Sequence, residues 1–292
     1  MPSTSAQPAL PPAARLLRAW FRLASHLLPG VAERHAARLF LTPRKRPATP
    51  QAAGGVQPRA VRMEVGGERL VGWSWGDGGP PVLLIHGWSG RAADMSAIAA
   101  RLAADGMRAL AFDMPAHGAS AGRRTSLAVW TRILPELGAR FGELRAVIGH
   151  SFGGAAALLA LDAGLDARRA VLIAPPTGPA YFMERMRRFI GLHERRAAGM
   201  ERHLVAAVGR ALAEFDADRV AARVTVPALI LHDPADGEVP FAHARAISGA
   251  WRGSVLVPIP GEGHYRILRS QAAQDRISAF VLAPDAAALT TG

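Results

Sequence analysis

Gly149-His150-Ser151-Phe152-Gly153 is the stretch on which the reading of this chain turns. The apolar run from Leu144 to Ile148 predicts a buried strand before it, and Gly154-Ala155-Ala156-Ala157-Leu158-Leu159-Ala160 predicts a helix after it. A serine set between glycines, with a strand on one side and a helix on the other, has the context of a nucleophile elbow. Such a turn must be tight and strained to push one hydroxyl into a cleft. Small residues are needed beside the serine because strand and helix pass close together there. An ordinary strand-to-helix turn with a capping serine would use the same pentapeptide, so the rest of the chain has to decide.

A serine hydroxyl is a poor nucleophile at neutral pH. It needs a base, and the base needs an acid to orient it. Downstream, Ala228-Leu229-Ile230-Leu231 reads as a buried strand that ends in His232-Asp233-Pro234-Ala235-Asp236-Gly237-Glu238-Val239-Pro240. Ser254 to Ile259 reads as a further strand opening into Gly261-Glu262-Gly263-His264. A nucleophile, an acid (Asp233 or Asp236) and a histidine thus each follow the C-terminal end of a predicted strand, the edge of an open α/β sheet where ligands bind. An earlier strand, Pro81 to Ile85, ends in His86-Gly87-Trp88-Ser89-Gly90. Its loop is placed to supply one backbone N–H to a developing oxyanion, from Trp88, while Phe152 supplies the other.

These motifs resemble those of the α/β-hydrolase fold, in its single-domain bacterial form, from about Arg59 to Ala283. The matching pieces are His86-Gly87-Trp88, Asp113-Met114-Pro115-Ala116-His117-Gly118-Ala119-Ser120, Gly149 to Gly154, Asp236-Gly237-Glu238-Val239-Pro240 and Gly263-His264. One departure is Ala116, where such chains often carry glycine. The order Ser, Asp, His also agrees. The resemblance implies that Ser151 is the nucleophile, His264 the general base and Asp236 the orienting acid. It also implies a mainly parallel eight-stranded sheet flanked by helices, with a small helical cap.

The composition fits one large domain with additions: 292 residues, half of them apolar, and no cysteine. A disulfide framework, a thiolate metal site and a cysteine nucleophile are excluded. No metal site and no cofactor are expected. The formal charge of +12 is concentrated at the start of the chain. Residues 1–62 carry ten basic side chains against one acid, Glu33, which leaves about +3 for the remainder. No nucleic-acid partner is therefore expected of the body.

Three segments are drawn: an arm with a linker over 1–57, a core over 58–176 and 226–285, and a helical cap insertion over 177–225. Residues 1–12 read as disordered and 48–57 as a linker. Leu16, Leu17, Trp20, Phe21, Ala24, Leu27 and Leu28 share a helical face, with Arg15, Arg18, Arg22 and Ser25 largely opposite. Pro29-Gly30 breaks that helix, and Val31 to Leu41 resumes it. The stretches are too short and too interrupted by arginine to span a bilayer. Two readings stand for the arm: a helix packed on the body, the one favoured, or an in-plane anchor on anionic lipid. The compartment expected is the cytoplasm, with peripheral contact at the inner face of the membrane under the second reading.

In the cap, Phe182, Met186, Phe189 and Ile190 recur at helical spacing. The expected pocket residues are His86, Trp88, His150, Phe182 and Met186. The expected activity is hydrolysis of a small carboxylic ester through an acyl-enzyme. The alternatives are a thioesterase or carbon–carbon bond hydrolase with the same triad, or a membrane-docked binding protein without catalysis.

Overall fold

The computed structural model describes residues 11–52 and 55–284. The terminal residues expected to be disordered fall almost wholly outside that range, as do two positions of the linker. Eight strands form one sheet: β1 (Arg59–Val65), β2 (Glu68–Trp75), β3 (Pro81–Ile85), β4 (Arg108–Asp113), β5 (Ala146–His150), β6 (Ala170–Ile173), β7 (Ala228–His232) and β8 (Ser254–Pro258). Their order is β1-β2-β4-β3-β5-β6-β7-β8. β2 runs antiparallel to both of its neighbours, and all other pairs are parallel. The central strands are continuous apolar runs, buried along their whole length, because helices cover both faces of a parallel sheet.

Eleven α-helices are present among the described residues: α1 (Pro12–Leu27), α2 (Pro29–Phe40), α3 (Ser96–Ala104), α4 (Leu127–Ala139), α5 (Phe152–Asp162), α6 (Pro179–Ile190), α7 (Ala197–Val208), α8 (Ala217–Ala221), α9 (Phe241–Ala250), α10 (Gly263–Arg266) and α11 (Gln271–Leu282). On one face of the sheet, Ile98 and Leu102 of α3 and Ile277 and Val281 of α11 join Val82, Leu84, Ile148 and Leu231 in one buried cluster. α4, α5, α8 and α9 pack in series on the other.

The chain divides into two compact units. The larger comprises Thr42–Pro179 and Ala213–Gly292 and contains the sheet. The smaller comprises Met1–Leu41 and Ala180–Leu212. The arm and the insertion, read from the sequence as separate pieces, thus fold together. Phe21, Ala24, Ala32, Ala36 and Ala37 from α1 and α2 are buried against Ile190, Leu192, Met200 and Leu204. Polar ties accompany the packing, and Ser25, expected on the polar face, is buried with Phe21 and Ala24 because its hydroxyl finds partners there. Ser25 Oγ accepts the His193 N–H at 3.1 Å, and the Ser25 carbonyl accepts Arg196 Nε at 3.0 Å. Glu33, the single acid of the arm, is buried and lies 3.7 Å from Arg196. Gly199 leaves room for it, since a Cβ there would sit 2.0 Å from the Glu33 carboxyl carbon.

Pro29 marks the expected break between the two helices, but the second restarts there and not at Val31. It is the first residue of α2, where its missing N–H costs nothing. The chain after β8 is helical in separate pieces, with Ser270 extended before α11.

Candidate active site

Parallel strands bring their C-terminal ends to one edge, and each expected catalytic side chain follows such an end. β5 runs directly into Ser151, which lies just before α5 with φ 53° and ψ −121°. A side chain rarely adopts this left-handed conformation, which costs roughly 1–3 kcal/mol and is held by its surroundings. The Ser151 N–H donates to the Ile173 carbonyl at 2.8 Å. Glycine is required on both sides. A Cβ on Gly149 would sit 2.3 Å from the Gly153 carbonyl, and one on Gly153 would sit 2.4 Å from the carbonyls of Ile85 and His86. Phe152 opens α5, so its N–H belongs to the first turn, which has no intrahelical acceptor.

The loop after β3 lies against the same turn. A Cβ on Gly87 would come within 3.2 Å of both Ser151 Cβ and His150 Nδ1. The Trp88 ring packs on Phe152, with centroids 5.0 Å apart. His86 and His117 hold this loop, and their partners fix their tautomers. His86 Nδ1–H donates to the Gly87 carbonyl at 2.7 Å, while its Nε2 accepts the Met114 N–H at 3.0 Å. His117 Nδ1–H donates to the Pro115 carbonyl, and its Nε2 accepts the Ser89 N–H at 2.9 Å. Burial, helped by the neighbouring His117, holds His86 well below the usual histidine range. Burial likewise lowers His117 to about 4.

Asp236 and His264 meet. Nδ1 of His264 is 2.7 Å from Oδ2 of Asp236, and both side chains are buried. A carboxylate only accepts, so Nδ1 carries the proton and Nε2 is left as the basic nitrogen. Asp236 receives three further bonds, from the N–H groups of Glu238 and Val239 on Oδ1 and from His232 Nε2 at 3.3 Å on Oδ2. Burial pushes this carboxyl up, but the bonds from His232, His264 and Val239 outweigh it and hold the group well below the ordinary carboxylate range. Asp233, the other candidate acid, is turned to its own loops. It accepts the Ala235 N–H at 2.8 Å and the Gly263 N–H, and so braces the turn that carries His264. His150 lies beside His264, with centroids 4.8 Å apart, and its Nε2–H donates to the His264 carbonyl at 2.8 Å. Burial and the adjacent His264 lower His150 to about 3, so it is neutral.

Of the two cap residues expected at a pocket, Met186 packs on the apolar cluster of the smaller unit. Phe182 is half-buried beside Tyr181, with centroids 5.2 Å apart.

Three contributors were not legible. Trp130 of α4 is fully buried and meets His86, His117 and Phe152 edge-on at 4.9–5.3 Å. His232 is a second donor to Asp236, four residues earlier in the chain, and only the folded turn after β7 brings the two together. Residues 44–46 run along the loop after β3. The Arg44 N–H donates to Ser89 Oγ, Arg46 donates to the Ser89 carbonyl, and Lys45 donates to the Ser120 carbonyl. Among the described residues, no group of three or more histidines and carboxylates is arranged to hold a metal.

The model of the alpha/beta hydrolase family matches residues 82–278. Among curated proteins, none matches by sequence. Among solved structures, an esterase of Pyrococcus furiosus is similar at 17% identity and a TM-score of 0.62, covering 82% of this chain and 98% of its own. An N-formylmaleamic acid deformylase of Pseudomonas putida is similar at 19% identity and a TM-score of 0.56, covering 76% and 100%. A thioesterase domain from the curacin biosynthetic pathway is similar at 17% and 0.55, covering 77% and 99%. These likenesses are likenesses of fold, whereas the family model spans more than half of the sequence and carries the conclusion that the chain belongs to the alpha/beta hydrolase family.

Proposed function

We propose that this chain is a serine hydrolase that cleaves small carboxylic esters through an acyl-enzyme. The observation that carries the reading is the 2.7 Å contact between Asp236 and His264, on the same sheet edge as a strained serine at the start of α5. Ser151 Oγ attacks the ester carbonyl carbon and gives its proton to His264 Nε2. The oxyanion is held by the N–H groups of Phe152 and Trp88, with the positive end of α5 behind it. Asp236 stabilises the imidazolium and fixes its tautomer. Collapse of the intermediate expels the alcohol, which takes the proton from His264. A water that loses its proton to His264 then attacks the acyl carbon, and the acid leaves as Ser151 Oγ takes that proton back from His264. The gap at Gly87 and the neutral His150 keep the floor of the site close and uncharged.

The test is turnover of p-nitrophenyl esters and of the matching acyl thioesters by the full chain and by Ser151→Ala. The wild type hydrolyses esters, and the variant loses roughly 10⁴- to 10⁶-fold in kcat while it remains folded. Faster turnover of thioesters at every chain length would move the substrate class to thioesters. Equal rates for the two proteins would remove catalysis altogether.

A further inference from the structure

Ten large apolar side chains are exposed among the described residues, and six of them lie between residues 16 and 31. Leu16, Trp20, Leu23 and Leu27 recur at spacings of four, three and four along α1, and Leu28 and Val31 extend the row to the start of α2. They are well out of the fold: Leu16 is 73% exposed, Leu23 62% and Leu27 67%. The core-facing side of the same helix is different, with Phe21, Ala24 and Ser25 buried. α1 therefore has two apolar sides, and packing within its unit accounts for only one of them.

The charge beside the bare side is all of one sign. Arg15 and Arg22 directly precede Leu16 and Leu23, so they run down one flank of the row, and Arg34 is exposed on α2. Glu33, the only acid on either helix, is buried toward Arg196. The whole smaller unit carries twelve arginines against four glutamates, a formal +8 of the chain's +12. Two copies meeting face to face would oppose these arginines with no exposed acid on either helix to pair them. Leucines and a tryptophan on the outer side, with arginines along the flank, match the boundary between acyl chains and anionic headgroups, where long basic side chains reach outward while apolar ones insert. Sixteen helical residues extend about 24 Å, enough to lie in that plane and short of the ~30 Å hydrocarbon core.

We propose that the outer face of α1, continued by Leu28 and Val31, docks the protein in plane on an anionic phospholipid surface. The arginines supply long-range attraction, and the leucines and Trp20 supply the inserted area. This docking is independent of the ester-hydrolase reading, because none of these side chains belongs to the catalytic machinery.

The full chain is tested by co-sedimentation with vesicles of phosphatidylcholine alone and of phosphatidylcholine mixed with phosphatidylglycerol. Two variants are compared with it. One carries Leu16→Ser, Leu23→Ser and Leu27→Ser, and the other carries Arg15→Gln, Arg22→Gln and Arg34→Gln. All six positions are exposed, so both variants should keep the wild-type melting temperature and ester turnover. Wild type should bind the anionic vesicles, and binding should weaken as salt rises to about 0.5 M. The arginine variant should lose about fivefold in affinity per charge, roughly a hundredfold in all. The leucine variant should lose at least about tenfold. Binding that ignores lipid charge, or that survives both sets of changes, overturns the proposal. So does a wild type that ignores vesicles but is dimeric by light scattering, with the leucine variant monomeric, since the face would then belong to a second copy.

Discussion

Asp236 accepts four hydrogen bonds, and this sets what substitutions around it should do. Asp236→Asn leaves the loop nearly isosteric but presents an amide to His264. The imidazole then loses its tautomer preference, and kcat should fall on the order of 10⁴-fold. Asp233→Asn should cost far less in kcat, because Asp233 braces the Gly263 turn and does not touch His264. A reversed ranking would exchange their roles. His232 offers a finer test. Its Nε2–H is shared between Asp236 and the Val239 carbonyl, and its Nδ1 is buried without a partner. His232→Leu removes one donor to the carboxylate and a buried unpaired nitrogen together. Stability should change little, while kcat drops about tenfold for the loss of one hydrogen bond to a charged group. An unchanged kcat would make His232 merely structural. Ala116, the one departure from the family's usual glycine, has φ +66°. The left-handed conformation penalises its Cβ. Ala116→Gly should therefore stabilise the protein by about 1 kcal/mol, readable as a higher Tm.

At the scale of elements, the strands were easy to read because both faces of the central sheet are covered, which makes their sequences apolar throughout. The run before Ser151 was placed slightly early. β5 extends to His150, so the glycine and histidine of the elbow are strand residues whose conformation the sheet imposes. The places of Ser151 and His264 were legible because each follows a strand that the apolar runs had already marked. The site was illegible where a contact depends on a turn in three dimensions, as with His232, or on an aromatic delivered by a helix, as with Trp130. The broad apolar arc of the first helix was visible, but its division into an inner row at Phe21 and Ala24 and an outer row at Leu16 and Leu27, with Leu23 joining the outer row, required the structure. The inner row gives its own prediction. Phe21 is fully buried, and Phe21→Ala should destabilise the smaller unit by about 3–5 kcal/mol, seen as earlier proteolysis of α6 and α7. Unchanged proteolysis would show that the arm is dispensable to its packing.

For the whole molecule, the balance of charge and of buried neutral histidines matters most. His86, His117 and His150 all have folded-state values below that of the unfolded chain, the last two at about 4 and about 3. The unfolded chain therefore binds more protons below about pH 6.5, and stability falls as pH drops from there toward the folded values. Asp236, also lowered, acts in the same direction at still lower pH. Tm should decline from about pH 6.5 downward, before carboxylates in general titrate, and His150→Gln should flatten the upper part of that decline. A Tm that holds level down to about pH 4.5 would contradict the neutral assignments. No helix among the described residues is long and apolar enough to cross a membrane. The central claim, that Ser151 is an activated nucleophile, is tested most directly by the intact mass of the protein after exposure to a fluorophosphonate. The account predicts one adduct, on the peptide carrying Ser151, absent in Ser151→Ala and formed far more slowly in Asp236→Asn. A wild-type protein that stays unmodified, or an adduct that persists in Ser151→Ala, would contradict it.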